Sequence, residues 1–293
     1  MRKETEKISK DLEKYMNKKE IGNEEELNGA ISDFIKQHNK KAAKKKANDA
    51  WDYVNMAYEA DSEQDALKYA RKALQLDKNC LDAEMMIAEL TSGDSEELKK
   101  TYEKLIEKAE KALKESDIFR EENKGHFWLI IETRPYMRLR YSYIRLLMDL
   151  GKFRKAIREC EDILQLCEGD NMGVRYLLIS LYAFFEDELN VIRLHKRYEE
   201  EASAQMLLPI IALYYKLDDY KKAEAYLKKL KKVNDELEDV FCDAEDIDEN
   251  LDDVIESGMY RYGSKEEIMV AMTDAMFLYS TTSGFYLWMA DRV

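Results

Sequence analysis

Three groups of arginine and polar or aromatic side chains are the residues here that could do chemistry. Arg138, Tyr141 and Arg145 form the first, Arg175, Ile179 and Tyr182 the second, and Gln205, Leu208 and Tyr215 the third. In the first two groups the steps are three and four residues, which puts each group on one helical face. An arginine fork grips a carboxylate through two parallel hydrogen bonds, and tyrosine adds rigid apolar area with a polar tip. Aligned in a concave groove, such a row suits a peptide that offers an acidic side chain or a free C-terminus. A second reading stays open for each arginine: Arg134, Arg138 and Arg175 can instead pair with carboxylates of their own chain, such as Glu132.

Catalytic spacings are missing. The sequence holds no Gly-x-x-x-x-Gly-Lys phosphate loop, no Gly-x-Gly-x-x-Gly, no Gly-x-Ser-x-Gly and no His-Glu-x-x-His. Cys80, Cys160, Cys167 and Cys242 include no Cys-x-x-Cys pair, and His38, His126 and His195 stand apart from them in sequence. The expectation is a binding protein without catalytic residues, metal or cofactor. His38 and His126 read as structural or surface residues.

The elements that must carry these residues repeat. In the segment Asp65–Asp77, Ala66, Ala70 and Ala73 lie four and three apart on one helical face, small enough for a second helix to approach closely. The same triplet recurs as Ala156, Cys160 and Ile163, and as Ala223, Leu227 and Leu230. Weaker copies are Leu98, Tyr102 and Leu105, and Asn190, Leu194 and Arg197. Successive triplets start 32, 58, 34 and 33 residues apart, so extra chain sits before the third. Each is preceded by an apolar helical stretch and a short polar turn, such as Gly151 or Asp218-Asp219. Two helices and a period near ~34 residues describe a tetratricopeptide repeat. The expected fold is all-α, with helix pairs stacked in a right-handed superhelical solenoid. Pro135 fits the first turn of a helix, Pro209 either starts or kinks one, and Asn171 can cap one.

Composition agrees. Ten glycines and two prolines in 293 residues are too few to punctuate a β sandwich or barrel, and 37% charged beside 45% apolar residues suits amphipathic helices. The net charge of −14 disfavours nucleic acid and anionic membranes as partners. Residues 1–46 carry 13 basic against 9 acidic residues and read as a charged helical extension, with a stripe at Leu27, Ile31, Phe34 and Ile35. The run Lys40–Lys46 makes a nucleic-acid-associated regulator the alternative reading, although no aromatic residue interleaves it. Residues 47–235 form the array of about five helix pairs, interrupted at 116–133, where the apolar stretch after Gly125 reads as a helix plugged into the core. Residues 236–263 form an acidic linker; 11 acids and no base fall within 236–256. Residues 264–293 supply capping helices, opened by the capping box Ser264-Lys265-Glu266-Glu267, with Ile268, Met269, Met272, Met276 and Phe277 as the apolar face. Neither a signal peptide nor a membrane span is evident, so a cytoplasmic protein is expected, of undetermined oligomeric state.

Four motifs carry a family resemblance: Gly125-x-Phe127-Trp128, then Thr133-Arg134-Pro135-Tyr136-Met137-Arg138, then Asp170-Asn171-Met172-Gly173-Val174-Arg175-Tyr176, and Tyr262-Gly263-Ser264-x-Glu266-Glu267. Over roughly residues 47–290, and most strongly over 125–178, the chain resembles bacterial tetratricopeptide-repeat relatives of the suppressor-of-tumorigenicity protein. The resemblance implies a repeat fold without a defined biochemical activity. It marks Trp128, Arg134, Pro135, Tyr136, Asn171, Gly173 and Tyr176 as structural or binding positions. Membrane segments precede the repeats in the animal relatives, and no membrane role is expected to carry over.

Overall fold

A computed structural model describes residues 49–242 and 260–293, with scattered positions between Ile8 and Phe34. The run Lys40–Lys46, His38 and residues 243–259 of the acidic segment lie outside the described residues. Every described element is helical. The chain forms two compact units, Met1–Gly151 and Lys152–Val293.

In the first unit, α1 (Ala50–Tyr58), α2 (Glu63–Leu76), α3 (Leu81–Thr91) and α4 (Ser95–Glu115) follow one another in contact, and α5 (Arg134–Asp149) packs on α3 and α4. Side chains set the helix starts. Asp49 and Asp52 exchange hydrogen bonds in a capping box at α1, Ser62 accepts from Asp65 N at 3.2 Å, and Asp94 accepts from Glu97 N at 2.8 Å. Each satisfies a donor that the first helical turn leaves open. Ala66, Ala70 and Ala73 are buried with Ala50, Val54 and Ala57, which brings α1 and α2 close together. In the scattered N-terminal positions, Phe34 is buried beside the Tyr15 ring, whereas Leu27 is exposed.

The insertion differs from expectation. Residues 116–133 form three single-turn 3-10 segments, Glu121–Asn123, Phe127–Leu129 and Ile131–Thr133, and no α-helix. Gly125 takes φ +86°, and the buried Thr133 hydroxyl donates to the carbonyls of Phe127 and Ile130, which folds the stretch back on itself. Of its apolar side chains Phe127 alone is fully buried; Leu129 is 69% exposed. A run of apolar residues looks like a buried helix in sequence, but this one is too short and too tightly turned to continue as one.

In the second unit, α6 (Phe153–Leu166) packs on α7 (Val174–Phe184). Next, α7 packs on α8 (Glu188–Arg197) and on α9 (Ala204–Lys216), and α9 packs on α10 (Tyr220–Leu230). The first helices of successive pairs thus touch each other as well as their partners, so α7 and α9 are apolar nearly all round. Second helices bury one stripe, and the expected triplets supply it in α2, α6 and α10. In α8 the buried set is Val191, Leu194 and His195, so the expected Asn190–Leu194–Arg197 face is displaced by one residue and Arg197 is exposed. Inside the pairs α7–α8 and α9–α10 the turns share one geometry, with Glu186 and Asp218 at φ +59° and +56°, and Gly151 takes φ +67° before α6; no residue between α1 and α2 or between α3 and α4 has a positive φ. Pro209 lies inside α9, at neither end.

A C-terminal group closes this unit: α11 (Leu237–Phe241), α12 (Lys265–Asp274), α13 (Met276–Tyr279) and α14 (Ser283–Ala290). The expected capping box is replaced by a different bond set. Ser264 makes no capping bond, and the buried Glu267 carboxylate accepts from Gly263 N at 2.7 Å and Ala204 N at 3.0 Å. It therefore joins the start of α12 to the start of α9. The helix expected to carry one apolar face from Ile268 to Phe277 breaks at Ala275, leaving Met276 56% exposed. Among the described residues no helix is long and apolar enough to cross a membrane.

Candidate functional site

An open recess of about 690 Å³ lies in the second unit. Gln165 at the end of α6, Glu168 and Gly169 beyond it, Arg175 in the first turn of α7, and Arg197, Tyr198, Glu199 and Glu201 at the end of α8 line it. The loop before α7 fixes one wall. Gly173 is the N-terminal cap in a left-handed conformation, and Asp170, also left-handed, turns its carboxylate onto Val174 N at 2.8 Å and Arg175 N at 3.0 Å. Asp170 therefore caps α7. Asn171 is exposed and takes a contact from Cys167 Sγ instead.

Arg175 is the centre of the wall. Its fork reaches Asp170 Oδ2 at 2.9 Å and Glu201 Oε2 at 3.0 Å, and its plane lies 4.1 Å from the Tyr176 ring centroid and 5.2 Å from that of Tyr198. Tyr176 donates to the other Glu201 oxygen at 2.8 Å. Burial pulls the Arg175 guanidinium down, but Tyr176, Glu201 and Asp170 together hold it above its ordinary range. Burial pushes Asp170 up, with Arg175 and the capping amides opposing it. At Glu201 burial works upward but loses to the bonds from Tyr176 and Arg175, so its carboxyl sits low. Tyr198 is pushed up to about 12 by burial and by Asp170. Elsewhere in the lining Arg197 donates to the Leu164 carbonyl at 2.8 Å, and Tyr198 donates to the Glu168 carbonyl at 3.3 Å. Behind the recess, His195 Nε2 donates to the Glu201 carbonyl at 3.0 Å, and burial lowers its pKa. Guanidinium, carboxylate, amide and phenol groups around an open space offer hydrogen bonding and charge recognition.

The residues expected to form one arginine–tyrosine row are placed as follows. In the first unit, Arg138 grips Asp82 with two bonds, at 2.8 and 2.7 Å, beneath the Trp51 ring. Its pairing partner is Asp82 on α3. Tyr141 is half-buried and Arg145 exposed on the same helix. In the second unit Ile179 is wholly buried and belongs to the core, not to a groove surface. Tyr182 is buried and donates to Glu161 at 2.6 Å. Gln205 is buried and donates to the Tyr260 hydroxyl, and Leu208 is fully buried. Tyr215 is walled in by the rings of Tyr220, Phe285 and Trp288. Of these residues, Arg175 alone lines the recess.

The motif residues are mostly architectural. Arg134 Nε donates to the Trp128 carbonyl at 2.8 Å and its guanidinium lies over the Trp128 ring, which fastens the insertion to α5. Pro135 sits in the first turn of α5, where no hydrogen-bonded amide is needed. Tyr136 is buried and donates to Glu110 at 3.4 Å. Sequence reasoning passed over Asp170, Glu201, Arg197 and Tyr198. Asp170 stood inside a quoted motif, but loop carboxylates are common and its capping role needs the left-handed turn. Among the described residues, no cluster of three or more histidine, cysteine or carboxylate side chains could hold a metal ion.

Searched against protein-family models the chain matches none, and no curated protein matches it significantly.

Proposed function

We propose that the chain is a non-enzymatic tetratricopeptide-type scaffold of the cytoplasm that holds a protein or peptide segment in the recess beside Arg197 and Tyr198. The pairs stack as a right-handed superhelix in this reading. It is supported by the recurring helix pairs, by contact between successive first helices, and by the left-handed turn that α7–α8 and α9–α10 have in common. The resemblance to bacterial tetratricopeptide-repeat relatives of the suppressor-of-tumorigenicity protein points the same way, since its Asp170–Tyr176 stretch builds one wall of the recess. A single observation carries the proposal. The ends of successive pairs leave about 690 Å³ open among polar and aromatic side chains.

Peptide display against the full chain tests it. Selected peptides should lose roughly five-fold or more in affinity against Tyr198→Ala and Gln165→Ala, as expected for a buried aromatic contact and its neighbour. Equal binding to both variants, with unchanged circular dichroism and melting, would overturn the assignment of the recess.

A further inference from the structure

Resting on the scaffold reading of the recess, we infer that its ligand presents a lysine or arginine side chain, not the acidic group that a row of arginines suggests. Both lining arginines are already engaged. Arg175 is held by two carboxylates, Asp170 and Glu201, which more than balance its single charge. Arg197 donates to the last-turn carbonyl of α6, which holds its guanidinium in place without cancelling its charge. Three carboxylates, Glu168, Glu199 and Glu201, face those two cations across the lining. Glu168 and Glu199 are exposed, and among the described residues neither side chain is ion-paired. Glu200 next to them is answered by Lys229 at 3.5 Å, and Lys196 stands exposed outside the lining.

The backbone adds to the same sign. Helices α6 and α8 both end at the recess and α7 begins there, so two negative helix ends meet one positive end, whose amides Asp170 already caps. The chain itself shows what this environment holds. The Arg175 guanidinium keeps its proton more firmly than usual although it is largely buried, because the surrounding oxygens outweigh the loss of water. Its arrangement, two carboxylates with an aromatic face at 4.1 Å, is a guanidinium cradle built into one wall. Beyond it the open space keeps the unpaired Glu168 and Glu199, so an incoming cation finds partners there while an incoming carboxylate meets like charge.

The test uses the full chain and two blocked, labelled hexapeptides: one alternating alanine with lysine and arginine, the other with glutamate in their places. Binding is read by fluorescence anisotropy at low and physiological salt. The basic peptide should bind, and Glu168→Gln/Glu199→Gln should weaken it by roughly three-fold or more, the scale of two partly exposed ion pairs. Arg197→Gln, which removes a positive charge from the lining, should strengthen it. The double change Glu238→Gln/Asp239→Asn removes the same charge from exposed positions on α11 and should leave binding unchanged. If this control weakens the basic peptide as much as the recess variant does, attraction to the acidic surface explains the binding and the inference falls. If the acidic peptide binds and Arg197→Gln abolishes that binding, the recess stands and the sign of its ligand is wrong. If neither peptide responds to any recess substitution, the scaffold reading of the recess falls with the inference.

Discussion

Replacing Arg175 by methionine separates an arginine built into the fold from one waiting for a ligand. In the fold the side chain is 17% exposed, its partner Asp170 is fully buried and Glu201 is 26% exposed. Methionine keeps much of the packing against Tyr176 and removes the charge. The Asp170 carboxylate then loses its counter-ion inside the protein, while Glu201 keeps some access to water. Removing one member of a buried pair costs about 3–5 kcal/mol, and the partial exposure of Arg175 and Glu201 brings the expected loss to about 2–3 kcal/mol. The loss should shrink in acid. Burial already pushes Asp170 up, and without the guanidinium its pKa rises further above the unfolded value. A carboxyl with a raised folded pKa favours the folded state when protonated, so the deficit of the variant is largest near neutrality and falls as the pH drops toward the carboxylate range. Urea unfolding followed by circular dichroism, on Arg175→Met, Glu201→Gln and the double variant, gives the coupling directly, expected at about 1–2 kcal/mol. A variant as stable as the parent chain, or a coupling within about 0.3 kcal/mol of zero, would refute the internal role.

Other substitutions probe separate parts of the fold. Asp82→Ala should destabilise the first unit by about 3 kcal/mol, because Arg138 loses a two-bond partner that is 4% exposed; denaturation of the single and paired variants measures it. Gly263→Ala should cost about 2 kcal/mol or more in unfolding free energy, since φ is +76° and a Cβ would stand 2.3 Å from the Val233 carbonyl oxygen, a backbone atom that cannot swing away. The buried His195 is held below its ordinary pKa near ~6.5, so the unfolded chain takes up that proton first. Its share of stability is whole above about pH 6.5 and declines as the pH falls below that, and His195→Gln should flatten the unfolding midpoint between about pH 6.5 and 5.

Apart from α8, where the buried stripe is displaced by one residue, periodicity was readable in most helices with one face buried and the other wet. Ala66, Ala70 and Ala73 show this, as do Ala156, Cys160 and Ile163, because the 3.6-residue turn writes the buried stripe directly into the order of residues. The signal failed where burial is two-sided or absent. Ile179 has the same spacing from Arg175 and Tyr182 that a groove face would give, but α7 is packed on several sides and the residue is enclosed. The stretch after Gly125 is apolar enough for a core helix, yet only Phe127 is swallowed and the backbone coils in 3-10 turns. Glu267 looked like a capping residue for its own helix. It serves two helix starts at once, through a contact 63 residues away that no local pattern announces.

The order of residues alone determined that this chain is helical, where the helix pairs recur, which faces of α2, α6 and α10 are buried, and that acids outnumber bases. Those properties follow from local geometry and from counting. Only the tertiary structure decided the fate of the charges. Arg138 and Arg175 could equally have met a ligand or their own chain, and long-range packing set Asp82 against the one and both Asp170 and Glu201 against the other. An ionised group cannot be buried without a counter-charge, and the counter-charge comes from whichever helix happens to pack there. The same packing left Glu168 and Glu199 facing open space, so the sign of the recess was fixed by distances between helices and not by the arginines that first drew notice.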